Sequence, residues 1–402
     1  RRIRWKEGVR RGARRTPSRI WPEASQARSK VLTTVTVGLL GAGRGLSLAQ
    51  LFDRVPGYRV VAVCDAIPER LDRARSACPR AEGFRDYAAM LREPFDVMIV
   101  ASAPPSHADH VCAALEAGKA VLSEVPAAHT LDDAQRIVDT VARTSGYYML
   151  GENCNYYGFI HAWKKLLEEG VLGEVIHTEG EYVHDIRGIT WVDADGRYYN
   201  PADPRCPATA RPSWRARYNP IQYITHSLGP LLWLTSDRCT SVSCLSTGCR
   251  TQPEIGSPDG QIALFETNNG APIRQSCIFS APKEPGGQWY SLYCSRGYAE
   301  SKRAPWDSGK LYLADGTMQE IQRKEWPAAV ETPLASSGHG GIDGGLVWDF
   351  AHAFRRGAPS PIDVHTAMDY TLPGIYAALS AERNGERVRI PDTRTERLVT
   401  RS

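Results

Sequence analysis

Short apolar runs alternate with amphipathic stretches between residues 35 and 152. The uniformly apolar runs predict buried strands at residues 35–40, 58–64, 95–101, 120–123 and 147–152. The stretches with one polar face predict helices at residues 46–52, 67–75, 84–91, 110–117 and 131–144. Because strands that alternate with helices form parallel sheets, this part of the chain is expected to be a doubly wound α/β domain.

The pattern changes after residue 152. Helices are predicted at residues 159–169, 344–355 and 364–384. Strand-like segments joined by Gly, Pro and Asn turns are predicted at residues 174–182, 239–244, 261–266, 273–280, 289–294 and 310–313. Residues 187–220 interrupt them as a long irregular insert of the kind that forms lids or binding loops. The expected second domain is α+β, with an open and largely antiparallel sheet.

A length of 402 residues fits two domains. We expect a disordered basic extension at residues 1–32, an α/β domain at 33–153, an α+β domain at 154–393 and a tail at 394–402. The extension could be an over-long reading frame or, less in keeping with its glutamates, a transit peptide. It carries much of the net charge of +4, so no nucleic-acid partner is indicated. No apolar run reaches transmembrane length, so no membrane partner is expected either.

The ten cysteines form no CxxC pair and show no metal-ligand spacing. We therefore expect reduced thiols, a cytoplasmic protein and no bound metal.

A glycine-rich turn follows the first predicted strand. Gly41 allows the tight turn in Gly41-Ala-Gly43-Arg-Gly45, and Gly43 lets the backbone approach a pyrophosphate at a helix N-terminus. Asp65 ends the second strand about 20 residues later, where this fingerprint places the acid that binds the ribose hydroxyls. In the usual pattern Gly-x-Gly-x-x-Gly the third glycine would stand at position 46, but Leu46 occupies it and Gly45 lies one residue earlier. The pattern predicts NAD, because Asp65 would repel the 2′-phosphate of NADP.

Longer motifs resemble the Gfo/Idh/MocA oxidoreductase family over residues 33–393. They lie at residues 41–45, 114–126, 170–175, 180–185, 225–230 and 338–343. The last three, with Glu124-Val-Pro126-Ala-Ala128 and Glu152-Asn153, resemble the branch that contains NAD-dependent α-N-acetylgalactosaminidases and related sugar enzymes. The resemblance implies a Rossmann domain, an open-faced α+β domain and a nicotinamide in the cleft between them.

The resemblance is incomplete at two positions. The lysine of the family's usual Glu-Lys-Pro motif is replaced by Val125, and the aspartate four residues before the family's histidine is Gln222. The branch named above also has valine here, so cofactor binding is still expected. Since valine cannot carry a proton, the identity of the proton acceptor is open.

His226 is the first candidate for that role, because a base with a pKa near the working pH suits the removal of a hydroxyl proton. A helix would place Gln222 on the same face, and Gly229-Pro230 would kink or restart that helix. The alternative is a buried histidine whose nitrogens are satisfied by backbone. Tyr182 and His184 alternate along one strand and share a face, so they join His226 as catalytic candidates; packing is the alternative for Tyr182.

The remaining candidates follow from the resemblance and from loop positions. Expected cofactor contacts are Gly41, Gly43, Arg44, Gly45, Asp65, Pro104, His107, Glu124 and Val125. Expected substrate contacts are Asn153, Trp214, Arg215, Gln222 and His339. A solvated loop histidine is the alternative for His107, and ordinary packing is the alternative for the aromatic residues.

Three functions are consistent with these residues. The first is an NAD-dependent oxidoreductase that acts on a sugar, sugar derivative or cyclitol. The second is a glycoside hydrolase that oxidises C3 transiently, removes the C2 proton and eliminates the C1 substituent. The third is a non-catalytic NAD-binding regulatory protein. An exposed open sheet also favours a homo-oligomer through the C-terminal sheet.

Overall fold

The computed structural model describes residues 34–282, 287–304, 306–321, 332–334 and 338–398. The basic extension expected at residues 1–32 lies outside these residues.

The N-terminal domain is built on six parallel strands. They are β1 (Val35–Leu40), β2 (Tyr58–Cys64), β3 (Glu82–Phe84), β4 (Val97–Val100), β5 (Ala120–Ser123) and β6 (Tyr148–Leu150). Its helices are α1 (Gly45–Phe52), α2 (Pro68–Ala77), α3 (Tyr87–Leu91), α4 (His107–Glu116) and α5 (Leu131–Thr144). The strand order β3-β2-β1-β4-β5-β6 changes direction between β1 and β4, where open α/β sheets bind ligands.

Local sequence explains most of these elements. All four residues of β4 are buried, as expected for a central parallel strand. Thr130 and Asp133 form a reciprocal capping box at the start of α5. The helix predicted at residues 84–91 was wrong in its first half, because Glu82–Phe84 pairs with β2 and Asp86 caps a shorter helix.

The C-terminal domain contains a nine-stranded sheet in the order β17-β16-β15-β14-β7-β13-β12-β11-β18. Along the chain, the helices and strands after β6 are α6 (Gly158–Glu168), β7 (Val175–Val183), β8 (Trp191–Val192), β9 (Tyr198–Tyr199), β10 (Arg211–Pro212), α7 (Thr225–Thr235), β11 (Cys239–Ser246), β12 (Gly260–Thr267), β13 (Ile273–Ile278), β14 (Gln288–Cys294), β15 (Gly297–Glu300), β16 (Gly309–Leu313), β17 (Met318–Ile321), α8 (Ile342–Arg355), α9 (Val364–Glu382) and β18 (Val388–Arg389). Strands β7 and β13 pair in parallel, and the other described pairs in this sheet are antiparallel. The expected fold class, a Rossmann domain followed by an α+β domain, is confirmed.

Helices α7 and α9 pack against this sheet. Three apolar side chains are exposed on strands β11 and β12, with Leu245 65%, Ile262 48% and Leu264 57% exposed. Leu245 and Ile262 are register partners, and Leu264 lies two residues further along the same strand, so the three share one face. The open face of the sheet therefore carries an exposed apolar patch on β11 and β12.

The insert at residues 187–220 is more regular than expected. Strands β10, β8 and β9 form a separate small antiparallel sheet, and short 3₁₀ turns complete the segment. In the tail, Arg397 pairs with Asp139 and the amide of Leu398 donates to Gln135, so residues up to 398 pack against α5. None of the described helices is long and apolar enough to cross a bilayer.

Candidate active site

A cleft of about 1060 Å³ lies between the two domains. Residues from the carboxyl ends of β1, β2 and β4 line its N-terminal side, and residues from β7, the insert and the start of α7 line its C-terminal side. It therefore opens at the point where the strand order changes direction.

The glycine turn forms one end of this cleft. Gly41 has φ +90°, and a side chain there would place Cβ 2.4 Å from the Ala101 carbonyl oxygen. At Gly43 a Cβ would find no protein atom closer than 4.0 Å, so the space beside it belongs to the cleft. Gly45 supplies the close helix–strand contact expected of a third glycine, since its Cβ would lie 2.6 Å from Leu39. No side chain caps the start of α1. This cradle fits a pyrophosphate.

Asp65 lines the cleft beside the turn. Its Oδ2 accepts a hydrogen bond of 2.8 Å from the Ala42 amide, and its Oδ1 accepts one of 2.9 Å from the Ile67 amide. Because each carboxylate oxygen has two acceptor positions, Asp65 keeps capacity for a ribose hydroxyl. The predicted ribose contact stays a prediction.

Arg44 joins the two domains through Asp343. Its guanidinium donates to both carboxylate oxygens of Asp343, at 2.7 and 3.0 Å, and its Nε lies 3.3 Å from Glu124 Oε1. The buried Asp343 also accepts from Asn153 Nδ2 at 2.8 Å and lies 2.7 Å from His339 Nδ1. Burial would raise the pKa of Asp343, but His339 and Arg44 together lower it to about 2. Asp343 is therefore ionised and organises three side chains at the cleft, those of Arg44, Asn153 and His339.

His226 at the start of α7 pairs with the buried Glu152, which follows β6, while 15% of the His226 side chain is exposed. The His226 Nδ1 lies 2.9 Å from Glu152 Oε1, which also accepts from the Cys154 amide at 3.0 Å. The other oxygen of Glu152 is buried without a hydrogen-bond partner among the described residues. Burial alone would lower the pKa of His226, but Glu152 and Cys154 outweigh it and hold that pKa well above its ordinary value. Because Nδ1 faces Glu152, Nε2 is the ring nitrogen left for a ligand.

The Cys154 thiol lies 3.5 Å from His226 Nδ1. Ligand atoms of Glu152, Cys154 and His226 all lie within 4.8 Å of one another, close enough for one metal ion. The hydrogen bond between His226 and Glu152 is by itself enough to explain why these ligand atoms lie so close together, without a metal ion. Burial raises the pKa of Cys154, which favours the thiol over a metal-binding thiolate.

Aromatic side chains surround His226. Tyr182 packs edge-on against the imidazole at 5.8 Å between ring centroids, and Tyr223 does so at 5.7 Å. The Tyr182 hydroxyl lies 3.1 Å from His184 Nδ1, in line with the strand alternation noted in the sequence. Burial raises the pKa of Tyr182, which keeps the phenol protonated. Tyr182 and His184 therefore form a second hydrogen-bonded acid–base pair in the cleft.

The insert contributes a stacked guanidinium. Arg215 lies 4.3 Å from the ring centroid of Trp214 and 4.9 Å from that of Tyr223, and its Nη1 is buried without a partner among the described residues. All three residues line the cleft. An aromatic wall that carries a donor suits the apolar faces and hydroxyls of a polar ring.

Most of the predicted site residues line this cleft. They are Gly41, Gly43, Arg44, Asp65, Pro104, Glu124, Val125, Asn153, Tyr182, His184, Trp214, Arg215, His226 and His339. Gly45 is buried behind the turn, against Leu39 and Ala101.

Two predicted contacts lie elsewhere. His107 is 1% exposed, and its ring nitrogens lie 2.8 Å from the Pro126 carbonyl and 2.9 Å from the Ser102 carbonyl. It is a buried structural histidine rather than a cofactor contact or a solvated one. Gln222 lies in a 3₁₀ turn, Pro220–Tyr223, and donates to the His129 carbonyl. It does not share a helix with His226, because α7 begins at Thr225 and then runs without a restart through Pro230.

Three important residues were not assigned a role from the sequence. Glu152 and Asp343 belong to quoted motifs but were not recognised as the partners of His226 and Arg44. Tyr223 was overlooked. The spacing of His339 and Asp343 by four residues was the available signal for Asp343, although the two side chains meet across the turn His339–Gly341 and not along one helix.

Comparison with known proteins agrees with this architecture. Residues 35–152 match the family model described as an oxidoreductase family with an NAD-binding Rossmann fold. Glycosyl hydrolase family 109 protein 1 of Bacteroides thetaiotaomicron is 27% identical, over 90% of this chain and 85% of that protein. The family 109 protein of Streptomyces coelicolor is 28% identical, over 89% of this chain and 83% of that protein.

Solved structures share the whole two-domain fold. Levoglucosan dehydrogenase in complex with NADH superposes with a TM-score of 0.74 at 19% identity, covering 89% of this chain and all (100%) of that one. An apparent myo-inositol dehydrogenase from Sinorhizobium meliloti gives a TM-score of 0.67 at 18% identity, covering 89% of this chain and 100% of that one. Residues 35–152 therefore carry the NAD-binding Rossmann domain of the Gfo/Idh/MocA oxidoreductase family, and the chain as a whole has the two-domain fold of these dehydrogenases.

Proposed function

We propose that this enzyme transfers a hydride between a secondary alcohol of a sugar, sugar derivative or cyclitol and NAD, with His226 as the base. The observation that carries this proposal is His226, which lines the interdomain cleft and pairs with the buried Glu152. The names of the structural neighbours, which include levoglucosan and myo-inositol dehydrogenases, support the substrate class.

The residues divide into holding and proton-transferring groups. Gly43 and the start of α1 would hold the pyrophosphate, Asp65 the ribose, and Glu124 with Val125 the nicotinamide end. When bound, NAD supplies the hydride acceptor. His226 Nε2 takes the hydroxyl proton, and Glu152 holds the resulting imidazolium through Nδ1. Trp214 and Arg215 orient the ring.

The pH profile tests the pairing of His226 with Glu152. His226 must be neutral to act as a base, and its pKa is raised above the ordinary value of about 6.5. Oxidation is therefore expected to increase with pH through an apparent pKa above that value. In Glu152→Gln the carboxylate charge is lost, so the rise should move about 1–3 units lower. The measurement is kcat/KM against pH.

The matched control is Glu179→Gln. Glu179 lies on the same strand as Tyr182, β7, but its carboxylate pairs with Arg274. Its profile should be the same as that of the wild type. A Glu152→Gln profile that also matches the wild type would contradict the assignment of His226.

A second candidate function is glycoside cleavage with NAD⁺ regenerated in each cycle. The curated relatives carry a glycosyl hydrolase name, and the cleft holds a second acid–base pair, Tyr182 and His184. Elimination across C1 and C2 after oxidation at C3 needs such a pair, because the C3 hydroxyl proton and the C2 proton are removed separately. Water then adds at C1 and the hydride returns to C3, so no net oxidation occurs.

One assay separates the two candidates. Purified protein is incubated with p-nitrophenyl glycosides without added NAD⁺, and separately with free sugars and NAD⁺. Net NADH from free sugars supports the dehydrogenase. Nitrophenol release without added NAD⁺ supports the glycosidase. The absence of both activities on every sugar tested would count against both candidates.

We further propose that two copies pair through the open face of the nine-stranded sheet, where Leu245, Ile262 and Leu264 are exposed. Light scattering of the wild type and of Leu264→Lys measures this association.

A cytoplasmic location is proposed because all ten cysteines, which lie among the described residues, are free thiols.

A further inference from the structure

The β8–β9 hairpin of the insert reaches across the cleft to the N-terminal domain. Arg70 of α2 donates a hydrogen bond of 2.7 Å to the Gly196 carbonyl at the hairpin tip. Arg197 Nη2 lies 3.7 Å from Glu69 Oε2, and the Arg70 guanidinium lies 5.9 Å from the ring centroid of Tyr198. Three contacts thus join an element of the C-terminal domain to the start of α2.

The hairpin tip needs glycine where it contacts α2. Gly196 has φ +75°, and a Cβ there would lie 2.0 Å from Ile67 Cδ1. A side chain at this position would therefore be strained at this positive φ, and it would have to displace either the end of the Ile67 side chain or the hairpin tip.

The shape of the hairpin is set internally. Asp193 Oδ1 accepts hydrogen bonds from the amides of Asp195 and Arg197, and its Oδ2 accepts from the Tyr199 hydroxyl at 2.8 Å. Beside it, Gln252 donates to the Thr190 and Asn200 side chains. The hairpin is therefore a preformed element held from the C-terminal domain.

The contact lies over one particular end of the cleft. Asp65, Ile67, Arg70 and Tyr198 all line the cleft, and Asp65 marks the place expected for the adenosine ribose. The hairpin consequently crosses the cleft at the adenosine end, away from His226.

We propose that the β8–β9 hairpin is a clasp that retains the dinucleotide, so that NAD stays bound between turnovers. This inference rests on NAD binding in the interdomain cleft. It extends the proposed function by stating what slows the dissociation of NAD. A nucleotide held between Asp65 and Tyr198 cannot leave until the contact between Gly196 and α2 opens. Such retention suits a cycle in which the hydride returns to the substrate.

The test is Gly196→Val, whose branched side chain is strained at φ +75° and collides with Ile67, so that the tip no longer fits against α2. The matched control is Gly188→Ala in the same insert, where a Cβ would meet nothing within 4 Å. Loss of a charged hydrogen bond and its neighbouring contacts is expected to speed NAD release about tenfold or more. Tyr198→Ala, which removes the ring above Arg70, should act in the same direction.

The readouts are the nucleotide retained through gel filtration, measured after denaturation, and the release rate of bound NADH followed by its fluorescence. Circular dichroism establishes that each variant is folded. Wild type and Gly188→Ala should retain nucleotide, while Gly196→Val and Tyr198→Ala lose it. Gly196→Val should turn over normally when NAD is in excess. Equal release rates in all four proteins would overturn the clasp and leave the proposed function standing. A wild type that binds no NAD would overturn both.

Discussion

Replacement of His226 by glutamine is expected to lower kcat by about 10²–10⁴-fold, the usual contribution of a general base. The glutamine amide can still donate to Glu152, so the buried carboxylate keeps a partner and the fold should survive. NAD binding should be unchanged, because the glycine turn and Asp65 lie on the other side of the cleft. The measurements are kcat on the substrate found in the assay above and the Kd for NAD.

His177→Gln is the control for this substitution. His177 lies on the same β7 strand as Tyr182, but it contacts Glu179 and Pro272 and does not line the cleft. This variant should retain full activity. If His226→Gln keeps wild-type kcat while binding NAD, the assignment of His226 as base is wrong and the Tyr182–His184 pair becomes the leading alternative.

The parallel sheet could be predicted because its strands are uniformly apolar and each is separated from the next by a polar-faced helix. Strand β3 could not, since Glu82-Gly-Phe84 has neither a run nor an alternation. It is a strand because the edge of β2 is available for pairing. Tertiary context decided this element over local preference.

Most residues that line the cleft could be named from the sequence, but Glu152, Asp343 and Tyr223 were not given roles, and the pairings could not be predicted. His226 and Glu152 are 74 positions apart, and Arg44 and Asp343 are 299 apart, so no local period connects either pair. The misplacement of Gln222 has a local cause. Extending α7 backwards by one turn put Gln222 beside His226, whereas Pro220 begins a separate 3₁₀ turn in front of that helix.

Asp343→Ala is expected to have the largest effect on stability. The substitution removes the acceptor of Arg44, Asn153 and His339 at once, and it leaves the Arg44 side chain, which is 30% exposed, with Glu124 as its remaining carboxylate. Breaking one side of a buried ion pair costs about 3–5 kcal/mol, and the contact with Glu124 places the expected loss near 3 kcal/mol. Urea unfolding measures it.

Asp139→Ala provides the matched control, because it removes a carboxylate whose pair with Arg397 is largely exposed. Exposed pairs contribute about 0–1 kcal/mol, so this variant should unfold close to the wild-type midpoint. A similar loss of unfolding free energy in both variants would mean that the contacts between Asp343 and Arg44 stabilise the fold no more than an exposed ion pair does.

Acid provides an independent test of the same carboxylate. The pKa of Asp343 is lowered from 3.8 to about 2 in the folded protein. A lowered folded-state pKa adds stability above the unfolded-state value, and that stability is lost as pH falls through the folded-state value. The difference in unfolding free energy between wild type and Asp343→Asn should therefore be full above about pH 4 and shrink towards pH 2. A difference that stays constant over this range would mean that Asp343 acts through packing and hydrogen-bond geometry rather than through its charge on Arg44.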